Sequence, residues 1–473
     1  MTEKVTAQGG KRELTAPGRA NVLEGLARGE ISVVALTEAY LARIARYGQR
    51  INPFITVTAD LARDQAAAAD AALERGETAG PLHGLPIAIK DNIDVAGVRA
   101  TAGSRFFAEK VPSVDAEVAR RLREAGAVLV GKATLHEFAY GATTDNPHYG
   151  TCRNPWDPTR IPGGSSGGSG AVLAADFCLA ALGTDTGGSV RIPAALNGVS
   201  ALRPTTGRVS NRGVFPITWS FDTVGPMARS VRHVAALMDV LADFDGGDPL
   251  SVDRPADDYL TALDQGIDGL RIGLPERFFL EDVDPDIVRA VREAADRFSN
   301  LGATVDEIEV PRAEEAGDAT TRLIWADALA IHRQRLTERP ELFGEDLQRR
   351  LRLGEGVSGT DYATCVQFGR EWNRLVEELF RDVDVILTPA TAIPAPRLAD
   401  CETIETTRQL TRFTYGWSLA ELPVLALPCG FSAEGLPVGM QLAAAPWKEA
   451  TLLRTGAAFQ RETTWHLEEP PLA

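Results

Sequence analysis

The sequence of 473 residues has few cysteines, few histidines and no long apolar run. Its five cysteines are scattered without a C-x-x-C pair, which excludes a predicted disulfide or zinc framework. Its six histidines form no H-E-x-x-H motif, so no metal site is predicted. No apolar run approaches the roughly 18 residues that span a bilayer, and the first residues lack a signal-peptide core. We therefore expect a reduced, cytoplasmic protein.

Clusters of positive charge are missing as well. Lysine and arginine total 49 against 65 acidic residues, giving a formal net charge of −16. Nucleic acids and anionic membranes are bound by clustered basic side chains, so neither is expected as a partner. The hydrophobic share of 44% is that of an ordinary globular chain, long enough to bury a large core.

Apolar strand-like segments alternate with helical ones, which predicts an α/β protein with a twisted, mixed sheet covered by helices on both faces. Residues 243–268 are rich in Asp, Gly and Pro and are predicted to form a surface connection. Helices are predicted over 21–47, 58–77, 114–125, 169–175, 285–301 and most of 312–380. Strands are predicted over 85–93, 128–130, 177–182, 269–275, 303–311, 383–389, 424–431 and 436–442.

Two runs place serines among glycines: PGGSSGGSG (162–170) and GTDTGGSVR (183–191). Glycines allow the backbone to approach a ligand closely and to direct N–H groups at it. A third segment, GLPIAIKDN (84–92), puts Lys90 at the end of an apolar run. Burial there would lower the pKa of the amine from its usual value of about 10.4. These are the parts of a hydrolase with a serine nucleophile and a lysine base.

Other interpretations of the two runs remain open from the residues alone. A glycine-rich loop before a helix also binds phosphate, but the lysine of a P-loop is absent. A Ser-His-Asp triad could assemble from distant residues, with His83 the histidine nearest to Lys90. The G-x-S-x-G elbow pattern is absent around Ser189. The residues themselves do not rank the four serines, which are Ser165, Ser166, Ser169 and Ser189.

The three segments, with others, resemble the amidase signature family. The resemblance covers about half of the chain, spread over nearly all of its length. It is carried by the lysine strand and by GKATLHEFAYG, NPWDPTRIPGGSSGGSGA, GTDTGGSVRIPAALNGVSALRPTTGRVS, FDTVGPMARSV, ELPVLALPCGF and GLPVGMQL.

The resemblance implies a Ser–Ser–Lys triad in an amidase-signature α/β fold. Ser189 would be the acylated nucleophile, Ser165 a bridging residue after a cis peptide bond, and Lys90 the base. The implied oxyanion hole consists of four backbone N–H groups, those of Thr186, Gly187, Gly188 and Ser189. Asp185, Arg191 and Ser166 would support the turn.

Candidates for contacting the substrate are Tyr140, Gly141, Thr218 and Trp219. Five apolar side chains of the helical stretch are expected in the core rather than in the pocket, namely Leu323, Ile324, Trp325, Phe368 and Trp372. Were they to face the site, a bulky or aryl substrate would be favoured. The family implies one domain over 1–473, made of a helical region (1–80), the signature core (81–240), a variable segment (245–380) and a return to the sheet (381–473).

The implied activity is hydrolysis of amide C–N bonds through an acyl-enzyme, including aryl amides or carbamates such as urethanes. A small-molecule substrate is expected, without cofactor, for a monomer or homodimer. The alternative is the glutaminase (A) subunit of a tRNA-dependent amidotransferase. That subunit has a tyrosine-rich stretch after paired arginines, whereas here Arg349 and Arg350 are followed by one tyrosine, Tyr362. The segment PITWSFD (216–222) also resembles stand-alone amidases.

Overall fold

The computed structural model describes residues 22–77 and 79–472, and their strands form one mixed sheet in the order β1-β3-β2-β4-β6-β5-β10-β11-β9-β7-β8. The strands are β1 (Phe54–Val57), β2 (Pro86–Lys90), β3 (Val128–Ala133), β4 (Ala180–Asp185), β5 (Ser200–Arg203), β6 (Thr223–Ala228), β7 (Arg271–Pro275), β8 (Thr304–Ile308), β9 (Val385–Pro389), β10 (Val424–Phe431) and β11 (Pro437–Ala443). The predicted α/β class with a mixed sheet and helices on both faces is confirmed.

The helices that cover this sheet are α1 (Val22–Ala27), α2 (Val33–Ile51), α3 (Ala59–Glu74), α4 (Glu117–Glu124), α5 (Gly167–Ala174), α6 (Arg191–Asn197), α7 (Val231–Leu241), α8 (Tyr259–Ala262), α9 (Pro285–Asn300), α10 (Ala313–Glu338), α11 (Glu345–Leu353), α12 (Gly359–Leu379), α13 (Thr403–Thr411), α14 (Tyr415–Leu419) and α15 (Glu449–Glu462). None of those in the described residues is both long and apolar enough to cross a membrane.

The pairing of β2 with β4 fixes where the candidate residues meet. The two strands are parallel, with Ile89 opposite Leu182. Both therefore end at the same edge of the sheet, where ligands of α/β proteins bind. Lys90 is the last residue of β2 and Asp185 the last of β4. The serine-bearing turns follow or precede the elements at this edge, which brings all three sequence segments together.

The boundaries predicted from sequence are accurate where a turn residue marks them. Helix α9 begins at Pro285, and Asp284 caps it by accepting the N–H of Asp286. Helix α2 is capped by Ser32, one of the two predicted caps.

The strand predicted over 177–182 is displaced, because the apolar run does not show where the strand begins. Asp176 adopts a left-handed φ of 58° after α5, and the strand starts only at Ala180. Strands β1, β5 and β6 were not predicted, and the predicted connection 243–268 contains α8.

The variable helices form a second apolar core beside the strand edge. Helix α10 packs on α11, α12 and α14, and the cluster includes Leu323, Ile324 and Trp372. This helical layer covers the edge at which β2 and β4 end, so that it forms the outer walls of the site described below.

Candidate active site

The amine of Lys90 lies at the centre of a buried hydrogen-bond network. Its side chain is completely buried at the end of β2. Nζ is 2.7 Å from Ser165 Oγ and 2.7 Å from Thr184 Oγ1. The peptide bond between Gly164 and Ser165 is cis, as the family resemblance implies. The structure thus brings two members of the expected triad into direct contact.

Burial lowers the pKa of Lys90 from its ordinary value of 10.5 to about 7, although the charges of Asp185 and Asp222 partly oppose the change. A lysine with such a pKa is about half unprotonated at neutral pH. Once it has lost a proton, Nζ can donate to Thr184 Oγ1 and accept the proton of Ser165. Lys90 is therefore suited to act as a general base near pH 7.

Ser189 lies in the turn that leads into α6, and its side chain is half-buried. It faces a pocket that also touches Gly164, the residue before Ser165. The two glycine-serine runs are joined directly, because the N–H of Ser166 donates to the carbonyl oxygen of Ser189 at 3.1 Å.

The remaining two serines have structural partners instead. The hydroxyl of Ser166 donates to the carbonyl oxygen of Thr184, and that of Ser169 donates to the carbonyl oxygen of Leu182. Both are fully buried, and neither lines the pocket that Ser189 faces. These contacts fasten α5 to β4 and favour Ser189 as the nucleophile.

The buried carboxylate of Asp185 shapes the turn before Ser189. It pairs with Arg191 at 2.9 Å and Arg203 at 3.2 Å, and their charges hold the pKa of Asp185 well below its usual range against the effect of burial. Asp185 also accepts the N–H groups of Gly188 and Val190. Arg191 in turn donates to the Thr414 carbonyl and to Ser418. Asp185 and Arg191 thus have the supporting positions expected of them.

The contact with Asp185 alters the expected oxyanion hole. The N–H of Gly188 donates to Asp185 Oδ1 at 2.9 Å, so that it is already used within the turn. In the described part of the chain, the N–H groups of Thr186, Gly187 and Ser189 have no acceptor. These three residues also line the pocket, so they are the better candidates for stabilising an oxyanion.

Close packing explains the two glycines before Ser189. A Cβ atom on Gly187 would lie 2.2 Å from Cε1 of Tyr415. Gly188 has a φ of 119°, and a Cβ atom there would lie 2.5 Å from Thr414 Oγ1. The hydroxyl of Thr414 donates to the carbonyl oxygen of Gly187 at 2.6 Å. The turn is therefore clamped against the start of α14.

Two cavities adjoin Ser189 and share four lining residues, Tyr140, Thr407, Thr411 and Tyr415. The smaller cavity, here called the inner pocket, has a volume of about 30 Å³ and includes Ser189. The larger one, the outer cavity, measures about 670 Å³ and is walled by α10, α11 and α13. Other residues of the inner pocket are Ala139, Gly141, Ala142, Gly164, Thr186, Gly187, Ile192, Ile217 and Ile324.

The predicted substrate contacts are partly placed in this pocket. Tyr140 and Gly141 line it. Thr218 does not, because its N–H and hydroxyl both donate to Asp222. Trp219 does not either, and 56% of its surface is exposed to solvent. Their neighbour Ile217 supplies the wall instead.

The apolar residues of the variable helices divide between core and cavity. Ile324 lines the inner pocket and Trp325 lines the outer cavity, contrary to the expectation that both lie only in the core. Leu323 and Trp372 are buried in the second apolar core, as expected. The ring of Phe368 packs under the guanidinium of Arg312.

Several residues of the site were not predicted from the sequence. Thr184 accepts from Lys90, Asp222 binds Thr186, and Tyr415 closes both cavities. Thr184 and Asp222 lie within the segments GTDTGGS and FDTVGP that carry the resemblance, and that placement was the available signal. Tyr415 had none, since nothing in its own neighbourhood marks a pocket.

Comparison with known proteins agrees with this geometry. The amidase family pattern matches residues 35–453. An amidase of Pseudomonas putida is 42% identical over 467 residues, covering 97% of this chain and 98% of its own. A glutamyl-tRNA(Gln) amidotransferase (A) subunit from Chloroflexus aurantiacus is 42% identical over 471 residues, covering 94% and 96%.

A solved structure has nearly the same fold. It belongs to a vestigial protein complex that reveals the evolutionary origins of an s-triazine catabolic enzyme. It superimposes with a TM-score of 0.89 at 38% identity and covers 94% of this chain and 98% of its own. The agreement extends over nearly the whole chain and includes every segment that forms the site. The protein therefore belongs to the amidase family, the amidase-signature hydrolases that act on the C–N bonds of amides.

Proposed function

We propose that this protein is a free-standing amidase that cleaves small amides with an aryl or other apolar group, and related carbamates, through an acyl-enzyme on Ser189. The observation that carries the proposal is the contact of a buried Lys90 with Ser165 beside a pocket that contains Ser189. The substrate would be a small molecule, and no cofactor, nucleic acid or membrane would take part. The chain would act in the cytoplasm as a monomer or homodimer.

The proposed reaction moves one proton along the triad. Unprotonated Lys90 accepts the proton of Ser165, which accepts that of Ser189 as Ser189 Oγ attacks the carbonyl carbon. The negative charge that develops on the carbonyl oxygen is stabilised by the free N–H groups of the turn. The relayed proton then passes to the leaving nitrogen as the C–N bond breaks. Water attacks the ester with the same proton path and releases the acid.

The walls of the inner pocket support an apolar substrate group. Ile192, Ile217 and Ile324 supply aliphatic surface, and the rings of Tyr140 and Tyr415 supply aromatic surface. Burying an apolar group against such walls contributes about 25 cal/mol per Å². Aryl amides and aryl carbamates present such a group next to the scissile bond, which is why they are the proposed substrates.

The test is hydrolysis by the purified chain alone on anilides, aryl carbamates, aliphatic amides and glutamine. We expect release of aromatic amine by the wild-type chain and none by Ser189→Ala. The matched control is Ser169→Ala, whose hydroxyl contacts β4 and should leave the pattern of preferred substrates unchanged. Brisk glutaminase activity without any anilide or carbamate cleavage would overturn the proposal.

A second candidate, the glutaminase subunit of an amidotransferase, is favoured by one observation. Arg350 is 4% exposed and lines the outer cavity. Its Nε donates to Asp346 and its Nη2 to Thr403 and Thr407, but its Nη1 has no acceptor among the described residues. The hydroxyl of Tyr140 is buried nearby, likewise without a partner there. These two donors suit a substrate carboxylate such as that of glutamine.

The same region offers no partner for the ammonium group of an amino acid. The four residues shared by the two cavities are two tyrosines and two threonines, and none is acidic. Arg350→Gln separates the candidates: a glutaminase should lose at least tenfold in kcat/KM for glutamine, whereas cleavage of neutral anilides should persist. Arg349→Gln is the control, because that side chain is exposed on the same helix.

A further inference from the structure

Asp222 joins two walls of the inner pocket. Its Oδ1 accepts the hydroxyl of Thr186 at 2.6 Å and that of Thr218 at 3.1 Å. Its Oδ2 accepts the N–H of Ile217 at 2.7 Å and that of Thr218 at 3.2 Å. Thr186 belongs to the turn that carries Ser189, and Ile217 belongs to the opposite segment of the lining. One carboxylate therefore connects the nucleophile turn with the wall that would hold the substrate.

These contacts exceed what the local turn needs. The bonds to Ile217 and Thr218 lie within five residues of Asp222 and would be enough to fold the segment 217–222. The bond to Thr186 reaches across 36 residues of sequence to another strand end. Because β4 and β6 pair with Asp185 opposite Thr223, Asp222 lies beside the first residue of the turn. The carboxylate is thus placed to hold that residue.

The charged surroundings of Asp222 connect it with the base as well. The charge of Asp222 acts on three groups, which are Lys90, Arg203 and Asp327. Burial raises the pKa of Asp222, and the four donors oppose this effect. The negative charge of Asp222 favours the ammonium form of Lys90 and so raises the pKa of that amine.

We propose that Asp222 is a positioning residue, which holds Thr186 and the following N–H groups where the developing oxyanion requires them. The inference rests on the proposed function, since it assumes acyl transfer on Ser189. Asp222 acts through Thr186 and touches no reacting atom. A donor displaced from its place by about 1 Å lowers the rate by as much as 10²-fold.

The experiment compares Asp222→Asn with two other variants. Thr186→Val removes only the hydroxyl that reaches Asp222. Asp245→Asn is the matched control: its carboxylate is also buried and also accepts one hydroxyl and one backbone N–H, but it lines neither cavity. Each chain is tested for its rate of labelling by a fluorophosphonate, for kcat and KM on the best anilide, and for the pH profile of kcat/KM.

We expect Asp222→Asn and Thr186→Val to lower both kcat and the labelling rate by about tenfold or more, with KM changed less than about twofold. Asp222→Asn should also move the acid limb of the profile to lower pH, because the pKa of Lys90 falls when the anion is removed. Thr186→Val keeps the anion and should leave the limb in place. Asp245→Asn should keep kcat and the limb unchanged.

The outcomes separate the positioning role from a structural one. Asp222→Asn with wild-type kcat and an unmoved limb would overturn the inference, as would losses equal to those of Asp245→Asn. If Asp222→Asn fails to fold, Thr186→Val decides, and wild-type kcat and labelling in that variant overturn the inference. A wild-type chain that hydrolyses no amide and resists the probe would instead overturn the proposed function.

Discussion

Replacing Lys90 with methionine should make the protein inactive and also change how its stability depends on pH. The side chain is completely buried, and folding must remove the amine from water. Burial lowers the pKa of Lys90 from 10.5 to about 7. Methionine has a similar length and no charge, so Lys90→Met removes the titration without leaving a cavity.

The size of the effect follows from the two pKa values. Between pH 10.5 and 7 the unfolded chain keeps a proton on Lys90 that the folded chain has lost, so wild-type stability falls as the pH is lowered. The slope is about 1.4 kcal/mol per pH unit. Over the range from pH 9.5 to pH 7 the wild-type chain therefore loses about 3 kcal/mol that Lys90→Met keeps. The loss of two hydrogen bonds, to Ser165 and Thr184, costs the variant about 1 kcal/mol each.

Urea unfolding at pH 7, 8 and 9.5 measures this difference, because the other titrating groups are common to both chains. The free energy of unfolding of Lys90→Met minus that of wild type should be about 3 kcal/mol larger at pH 7 than at pH 9.5. Lys448→Met, at an exposed lysine, should show no such change. A difference that stays constant within about 1 kcal/mol across the range would refute the argument, since Lys90 would then titrate as an ordinary lysine.

Three further outcomes are expected. The kcat/KM should rise about tenfold per pH unit below about pH 7 and level off above it, since only unprotonated Lys90 accepts a proton; a flat profile from pH 5 to 9 on the best amide would contradict this. Ser165→Ala should lower kcat by roughly 10²–10⁴-fold, and stopped assays showing a near-normal rate would exclude the relay. Gly187→Ala should destabilise the fold by about 1–3 kcal/mol in thermal unfolding, because its methyl group meets Tyr415, whereas Gly359→Ala, where a Cβ meets nothing, should not.

The elements around the catalytic residues were predictable because short-range chemistry marks them. Glycines flank the serines where the backbone must pack closely, as the contacts of Gly187 and Gly188 illustrate. Lys90 ends an apolar run because that run is a central strand, buried on both sides. The parallel pairing of β2 and β4 then brings these segments together. The resemblance, rather than the residues alone, distinguished Ser189 from its neighbours.

The walls of the cavities were less predictable, because they come from distant parts of the chain. Tyr140 lies in one turn, Ile217 in another, and Ile324, Arg350 and Tyr415 belong to three different helices. Each looks like an ordinary core or surface residue in its own segment. A single sequence carries no pairing information between them, so a prediction by proximity selected Thr218 and Trp219 instead of their neighbour.

The charge arrangement explains how a lysine between two carboxylates can still serve as a base. Asp185 alone would favour the ammonium form strongly, but it lies between Arg191 and Arg203, whose positive charges offset its own. Asp222 directs its oxygens at four N–H and O–H donors rather than at the amine. Neither carboxylate forms an ion pair with Lys90, whose described partners are the two neutral hydroxyls. Desolvation therefore outweighs the attraction, and the pKa of Lys90 lies near 7, where both proton transfers of the cycle can proceed.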